Sequence, residues 1–188
     1  MAKNLIIYYS RKGQNYVNGS IKDLKKGNSE ICAEFIQDSV GGDLFEIKPV
    51  NDYSEDYQTC TKEAAKELKN HARPELKQYL KDIDAYDHVF ICGPCWWGTF
   101  PMPVFSLLEK LDFTGKKVMA LMTHEGSGLG HSELDLRKVC KGAYFGNSIA
   151  IHGGDAYFGN SIAIHGGDAL EAYKAIEIWA KQNISDEK

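Results

Sequence analysis

Leu5-Ile6-Ile7-Tyr8-Tyr9, His88-Val89-Phe90-Ile91-Cys92 and Val118-Met119-Ala120-Leu121-Met122 are three largely apolar runs, and each stops abruptly. The first gives way to Ser10-Arg11-Lys12-Gly13-Gln14-Asn15, the second to Gly93-Pro94-Cys95-Trp96-Trp97-Gly98-Thr99, and the third to Thr123-His124-Glu125-Gly126-Ser127-Gly128-Leu129-Gly130. Short runs without polar alternation read as strands buried on both faces, as parallel sheets have them. In such sheets ligands bind outside the carboxyl ends of the strands. Three chemically distinct loops, each at the end of such a strand, therefore predict one composite site.

Helical patterns fill the intervals. Glu30 to Val40 puts Ile31, Phe35 and Ile36 on one stripe, and Gly41-Gly42 stops it. Leu44 to Ile47 reads as a second strand, and Glu55 to Asn70 as a polar helix with Ala64, Ala65 and Leu68 inward. Pro103 to Leu111 and His131 to Cys140 follow, the latter with Leu134, Val139 and Cys140 inward. A last helix, Ala169 to Gln182, carries Leu170, Tyr173, Ile176 and the pair Ile178-Trp179, with Asp168 as its N-cap. Strand–helix alternation predicts an α/β fold: a three-layer α/β/α sandwich around a five-stranded parallel sheet. The commonest five-stranded order, 2-1-3-4-5, sets strands one, three and four side by side.

The chain of 188 residues suits one domain, and 43% hydrophobic with 26% charged residues is ordinary for a globular protein. A net charge of −4 argues against a nucleic-acid partner. No apolar run approaches the roughly 20 residues that cross a bilayer, so no membrane insertion is expected. The chain enters its first strand almost at once, and its five cysteines have no disulfide-framework spacing; a cytoplasmic location is the expectation.

Two features interrupt the pattern. Tyr16 to Lys26 intervenes between the first loop and the first helix as an insertion that is expected to loop out. In addition, residues 143–155 recur without change as 156–168. Only one copy of the repeat can fill the fifth-strand slot. The expectation falls on the second, Ser161 to Ile164, because it leads straight into the last helix. The first copy then loops out or pairs along an open edge, which invites strand swapping; a monomer or weak dimer is expected.

The loops divide the chemistry. Ser10, Arg11, Lys12 and Asn15 on one side, and Asn28 and Ser29 on the other, form a split phosphate site, with Ser29 as the helix N-cap. Adjacent Trp96 and Trp97 cannot both face one core, so at least one is available to stack on a planar ligand, Trp97 being preferred. Pro94, Cys95, Gly98 and Thr99 complete that turn. Thr123, His124, Glu125, Gly126, Ser127 and Gly128 offer hydroxyls and backbone donors to the edge of a heterocycle. Cys92-Gly93-Pro94-Cys95 has the spacing of a redox dithiol. A reactive thiol belongs at a helix N-terminus, however, whereas Cys92 ends a buried strand. No histidine has metal-ligand spacing, and no nucleophile elbow is present.

Over nearly its whole length, apart from part of the insertion and one copy of the repeat, the chain resembles the short-chain flavodoxins. The likeness rests on Tyr9 to Gly13 with Gly27-Asn28-Ser29, on Gly93 to Thr99, and on Thr123 to Gly128. It implies non-covalently bound FMN and electron transfer between redox partner proteins, a reductase and an acceptor, with no catalytic side chain. Ser10, Lys12, Asn28 and Ser29 would hold the phosphate, Trp97 or Trp96 would flank the ring, and Thr123 to Gly128 would contact its other edge. Lys12 departs from the hydroxyl-rich phosphate loop of the family. An FMN-dependent NAD(P)H–quinone or other small-molecule reductase is the alternative on the same fold, and a CxxC thiol oxidoreductase or a regulatory interaction module the third reading.

Overall fold

The computed structural model describes residues 3–151, 164–165 and 173–185. Strands β1 (Asn4–Tyr8), β4 (Asp43–Glu46), β5 (His88–Pro94) and β6 (Lys117–His124) pair in parallel in the order β4-β1-β5-β6. The edge beyond β6 is shared by three short strands: β7 (Tyr144–Phe145), β8 (Ile149–Ile151) and β9 (Ile164–His165). Numbered by the five strands expected from the sequence, the order is 2-1-3-4, with the fifth position divided among three short strands.

Alternate residues of each central strand enter opposite cores. Leu5, Ile7, Val89, Ile91, Val118 and Ala120 pack with α3 (Met102–Leu108) and with Leu136 of α4 (Ser132–Val139). Ile6, Phe90, Met119 and Leu121 pack with Cys32, Ala33 and Ile36 of α1 (Asn28–Val40) and with Ile176, Trp179 and Ala180 of α5 (Tyr173–Ser185). On the α3 side lies α2 (Tyr57–Lys69), capped by Asp56, whose carboxylate accepts the Thr59 N–H. The helices thus begin and end within a few residues of expectation. Some of their inward faces are rotated from it: Leu134 and Ile178 are exposed, and Leu136 takes the place expected of Leu134. The expected cap at Asp168 lies outside the described residues.

The insertion is not a loop. Gly13–Val17 (β2) and Ser20–Leu24 (β3) form an antiparallel hairpin closed by Asn18-Gly19, both at positive φ. Asn-Gly at a two-residue turn is the strongest short hairpin signal, because that turn matches the twist of the flanking strands. With Gly13 opposite Leu24, the chain leaves β1 and returns close to its point of departure. There α1 follows its N-cap, Gly27, which offers no side-chain cap. A Cβ on Gly27 would fall 2.2 Å from Ser10 Oγ and 2.4 Å from the Arg11 carbonyl oxygen. Only glycine permits that approach. Ser29, expected as the cap, instead sits inside the helix.

The edge strand corrects a second expectation. The first repeat copy, not the second, begins the fifth strand: Tyr144 and Phe145 pair with Lys117 and Val118, and Ile149 and Ala150 with Leu121 and Met122. The chain leaving α4 reaches β6 directly, and α5 secures the copy that arrives first. Trp179 Nε1 donates to the Asn147 carbonyl (2.7 Å), and the Asn147 N–H donates to Asn183 Oδ1 (2.9 Å). The second copy contributes Ile164 and His165, which extend the same edge opposite Thr123 and His124. Ser161 to Ala163 lie outside the described residues.

Deleting Ala156–Asp168 joins Asp155 to Ala169 and keeps β7, β8 and the Asn147 contacts. The shortened protein should be soluble, with a thermal midpoint at or above that of the full chain, since loop length changes closure entropy only slowly. Aggregation or loss of cooperative melting would show that both copies are integral to the fold. Gly27→Ala forces a methyl group onto Ser10 and Arg11 and should cost about 1–3 kcal/mol in urea unfolding.

Candidate functional site

At the carboxyl ends of β1, β5 and β6 an open cleft of about 200 Å³ is lined by Ser10, Arg11, Asn15, Asn28, Ser29, Pro94, Cys95, Trp96, Thr123, His124, Glu125 and Ser127. Ten of those twelve residues come from the three loops, and Asn28 and Ser29 from the start of α1. Tyr16 and Tyr57 complete the lining. The sequence reading places Tyr16 in the looped-out insertion and Tyr57 on a polar helix, and the structure brings both to the cleft.

The wall nearest β1 is the start of α1. The Glu30 N–H donates to Ser10 Oγ (3.0 Å), so the β1 loop is fastened to the first helical turn. Asn15 Nδ2 donates to the carbonyls of Arg11 and Gly13, bracing the loop from within. Arg11 donates to the carbonyls of Gln14 (3.0 Å) and Glu55 (2.8 Å), tying the loop to the segment before α2. Lys12 is exposed and lies outside the cleft lining.

The floor joins this wall to the opposite one. Ser29 Oγ and Thr123 Oγ1 are 2.8 Å apart, and both residues are buried. Cys92 Sγ donates to the Ser29 carbonyl (3.2 Å). The first turn of α1 is therefore held against β5 and β6 at once.

The far wall is the Thr123–Gly130 loop. His124 Nδ1 accepts the N–H groups of Gly126 (2.9 Å) and Gly128 (3.0 Å), so the ring shapes the loop from below. Gly126 and Gly128 are not part of the lining. Glu125 Oε2 accepts the Asn18 N–H (2.9 Å), which connects the hairpin turn to this loop. On the α2 side Gln14 Oε1 accepts the Tyr57 N–H (2.9 Å), and the Tyr16 and Tyr57 rings stack with centroids 6.3 Å apart. The hairpin is thus moored at both sides of the cleft.

The two tryptophans separate as adjacent residues on a turn must. Trp96 lines the cleft and meets Tyr9 and Tyr53 edge to face, at 5.5 and 5.0 Å. Trp97, the residue preferred from the sequence, is 58% exposed and outside the lining; its Nε1 donates to the Thr61 carbonyl (3.0 Å). The reason is a tight turn in which Trp97 and Gly98 both have positive φ, while Trp96 and Thr99 bond to each other. Gly98 and Thr99 fix that turn to α4. The His131 N–H donates to the Gly98 carbonyl, and Thr99 Oγ1 donates to Asp135 Oδ2 (2.9 Å). Burial pushes the Asp135 carboxyl up, but hydrogen bonds from Lys138, Thr99 and His131 outweigh it and hold it below its ordinary value.

Cys92 and Cys95 lie on opposite faces of the sheet: Cys92 packs in the core beneath α1, and Cys95 borders the core beneath α3. Both are free thiols. Burial, reinforced by Cys32, holds the Cys92 thiol well above its ordinary pKa. Burial also raises that of Cys95, against hydrogen bonds from the Gly98 N–H and the Ser127 hydroxyl. Neither has the activated thiolate of a dithiol enzyme.

Among solved structures, the chain is similar to a flavoprotein of Bacteroides eggerthii described as putative, with 25% identity and a TM-score of 0.68 over 98% of this chain and 99% of that one. A corresponding flavoprotein of Bacteroides uniformis matches at 21% identity and TM-score 0.68, over 96% and 98% of the two chains. A flavoprotein of Lactobacillus acidophilus, solved in complex with FMN, matches at 19% identity and TM-score 0.59, over 79% and 92%. No curated protein matches the sequence. The family model described as Flavodoxin matches residues 5–155, which include all three loops of the cleft, and the chain belongs to the flavodoxin family.

Proposed function

We propose that the protein binds FMN in this cleft and carries electrons between redox partner proteins. The observation that carries the reading is the cleft itself, with a helix start whose N-cap is glycine on one side and an aromatic wall on the other, at the carboxyl ends of adjacent parallel strands. A helix N-terminus carries roughly half a positive charge and unsatisfied N–H groups, which suit a phosphate. At α1 the cap position is glycine, and Ser10, Asn28 and Ser29 add polar groups around it. The donor set fits a phosphomonoester.

Trp96, Tyr57 and Tyr16 supply flat apolar faces for an isoalloxazine, and the Thr123–Ser127 segment supplies polar groups for its edge. The cleft is smaller than the roughly 300 Å³ and more that fully enclose a small ligand. A flavin would keep one edge outside, as a carrier that hands electrons to another protein requires. FMN supplies the electron chemistry when bound, and the protein supplies binding, orientation and electrostatics. Within the protein, the Ser10–Glu30 and Ser29–Thr123 hydrogen bonds hold the two ends of the site at a fixed separation.

Titrating FMN with the protein should quench flavin fluorescence at micromolar concentration; unchanged fluorescence would remove the cofactor assignment. Trp96→Ala should weaken binding about tenfold, from a lost aromatic contact and its buried area. Trp97→Ala should do much less. Trp179→Ala should lower stability instead, since that ring packs on Phe90 in the core. Sustained NADPH oxidation with a quinone acceptor would assign the site to a reductase. Replacing Cys92 and Cys95 together by serine should leave flavin content and electron transfer largely intact, because neither thiol is poised to react. A folded double variant with bound flavin and no transfer would favour thiol chemistry.

A further inference from the structure

Charge in this chain is unevenly placed. Between Arg11 and Lys26 five cationic side chains face a single carboxylate, Asp23, a net +4 in a chain of −4, which leaves −8 for all the rest. Lys26 is paired with Glu34 (2.7 Å), and the Arg11 guanidinium is spent on carbonyls. Lys12, Lys22 and Lys25 are exposed and make no ion pair among the described residues. The hairpin that carries them is moored beside the cleft through Asn18–Glu125 and Gln14–Tyr57, and Lys22 lies directly opposite Asn15, a cleft residue.

The hairpin is also apolar at its centre. Tyr16 and Ile21 are directly opposed across the two strands and expose 43% and 44% of their surface. Lys22, next to Ile21 in the strand, points to the other face of the ribbon, so the hairpin offers a partner an apolar pair on one face and a lysine on the other, the mix of apolar and charged groups found at protein interfaces. We infer that the hairpin is the docking element for acidic redox proteins, drawing them to the exposed edge of the cofactor although the whole chain is itself acidic. This rests on the cofactor reading above. At about 0.1 M salt the Debye length is about 10 Å, so a partner seated on the hairpin senses Lys12, Lys22 and Lys25 together with Asp23 and Glu125 at the hairpin, and is screened from carboxylates farther off.

The sign of the salt dependence tests it. The flavin-loaded protein, reduced by two electrons with dithionite, is mixed in stopped flow with ferricytochrome b5, an acidic haem protein, and separately with ferricytochrome c, a basic one. Each ferric haem takes one electron and becomes ferrous. Two are consumed per reduced flavin, and the proton taken up on reduction returns to solvent. If the hairpin docks the partner, the rate with cytochrome b5 falls about tenfold from 20 to 200 mM salt, as steered association does. Lys22→Glu with Lys25→Glu, both exposed side chains outside the cleft, then makes that rate rise with salt while flavin content stays unchanged. If net charge governs, the unaltered protein shows a rising rate with cytochrome b5 and a falling one with cytochrome c, and the inference is overturned. It is equally overturned if the double variant behaves as the parent. A second readout needs no flavin. Ferrocytochrome b5 added at 20 mM salt should shift the amide resonances of residues 13–26, and shifts absent there would overturn the docking site. A chain that binds no FMN yet shows these shifts would refute the cofactor reading alone.

Discussion

Everything at the cleft depends on a contact too close for one methyl group. The end of β1 and the start of α1 are separated in sequence by a whole hairpin, yet Gly27 meets Ser10 and Arg11 so closely that a Cβ has no place. An antiparallel hairpin can be inserted there because its two ends are neighbours, with Gly13 beside Leu24. The insertion therefore adds a wall to the cleft without parting the strand from the helix.

From that contact the rest of the site is tied in series. Ser10 holds the first turn of α1, Ser29 in that turn meets Thr123 at the end of β6, and Cys92 at the end of β5 donates to the Ser29 carbonyl. Three strand ends and one helix start share these bonds, two of them buried, and leaving a buried polar group unpaired costs about 1–3 kcal/mol. His124 and Glu125 extend the chain of contacts to the glycine loop and to the hairpin tip. The position of each wall is set by its neighbour.

The sheet and its order were legible in the sequence because strands buried on both faces leave unbroken apolar runs, and all three cleft loops follow from that. The hairpin was legible too, in Asn18-Gly19, but the polar alternation around it reads as a loop when the turn signal is passed over. Tyr57 carries no signal of its own; it reaches the cleft through its hydrogen bond to Gln14 and its stack on Tyr16. The choice between Trp96 and Trp97 depends on the φ angles of a turn, which composition does not encode. Identical repeat copies offer no residue to distinguish them. What decides between them is the distance from α4 and the grip of Trp179 and Asn183 on Asn147.

Helix α1, whose start forms one wall of the cleft, lies against the last described helix. Cys32, Ala33 and Ile36 share a core with Ile176, Trp179 and Ala180, and Phe35 meets Tyr173 edge to face at 5.0 Å. Ribosomes build the chain from the other end. While α5 is still in the exit tunnel, the inner face of α1 lacks its cover and the strand edge lacks its clasp. The wall and its support, one near residue 30 and the other near residue 180, are thus made about 150 residues apart, and the cleft gains its backing only after α5 has emerged.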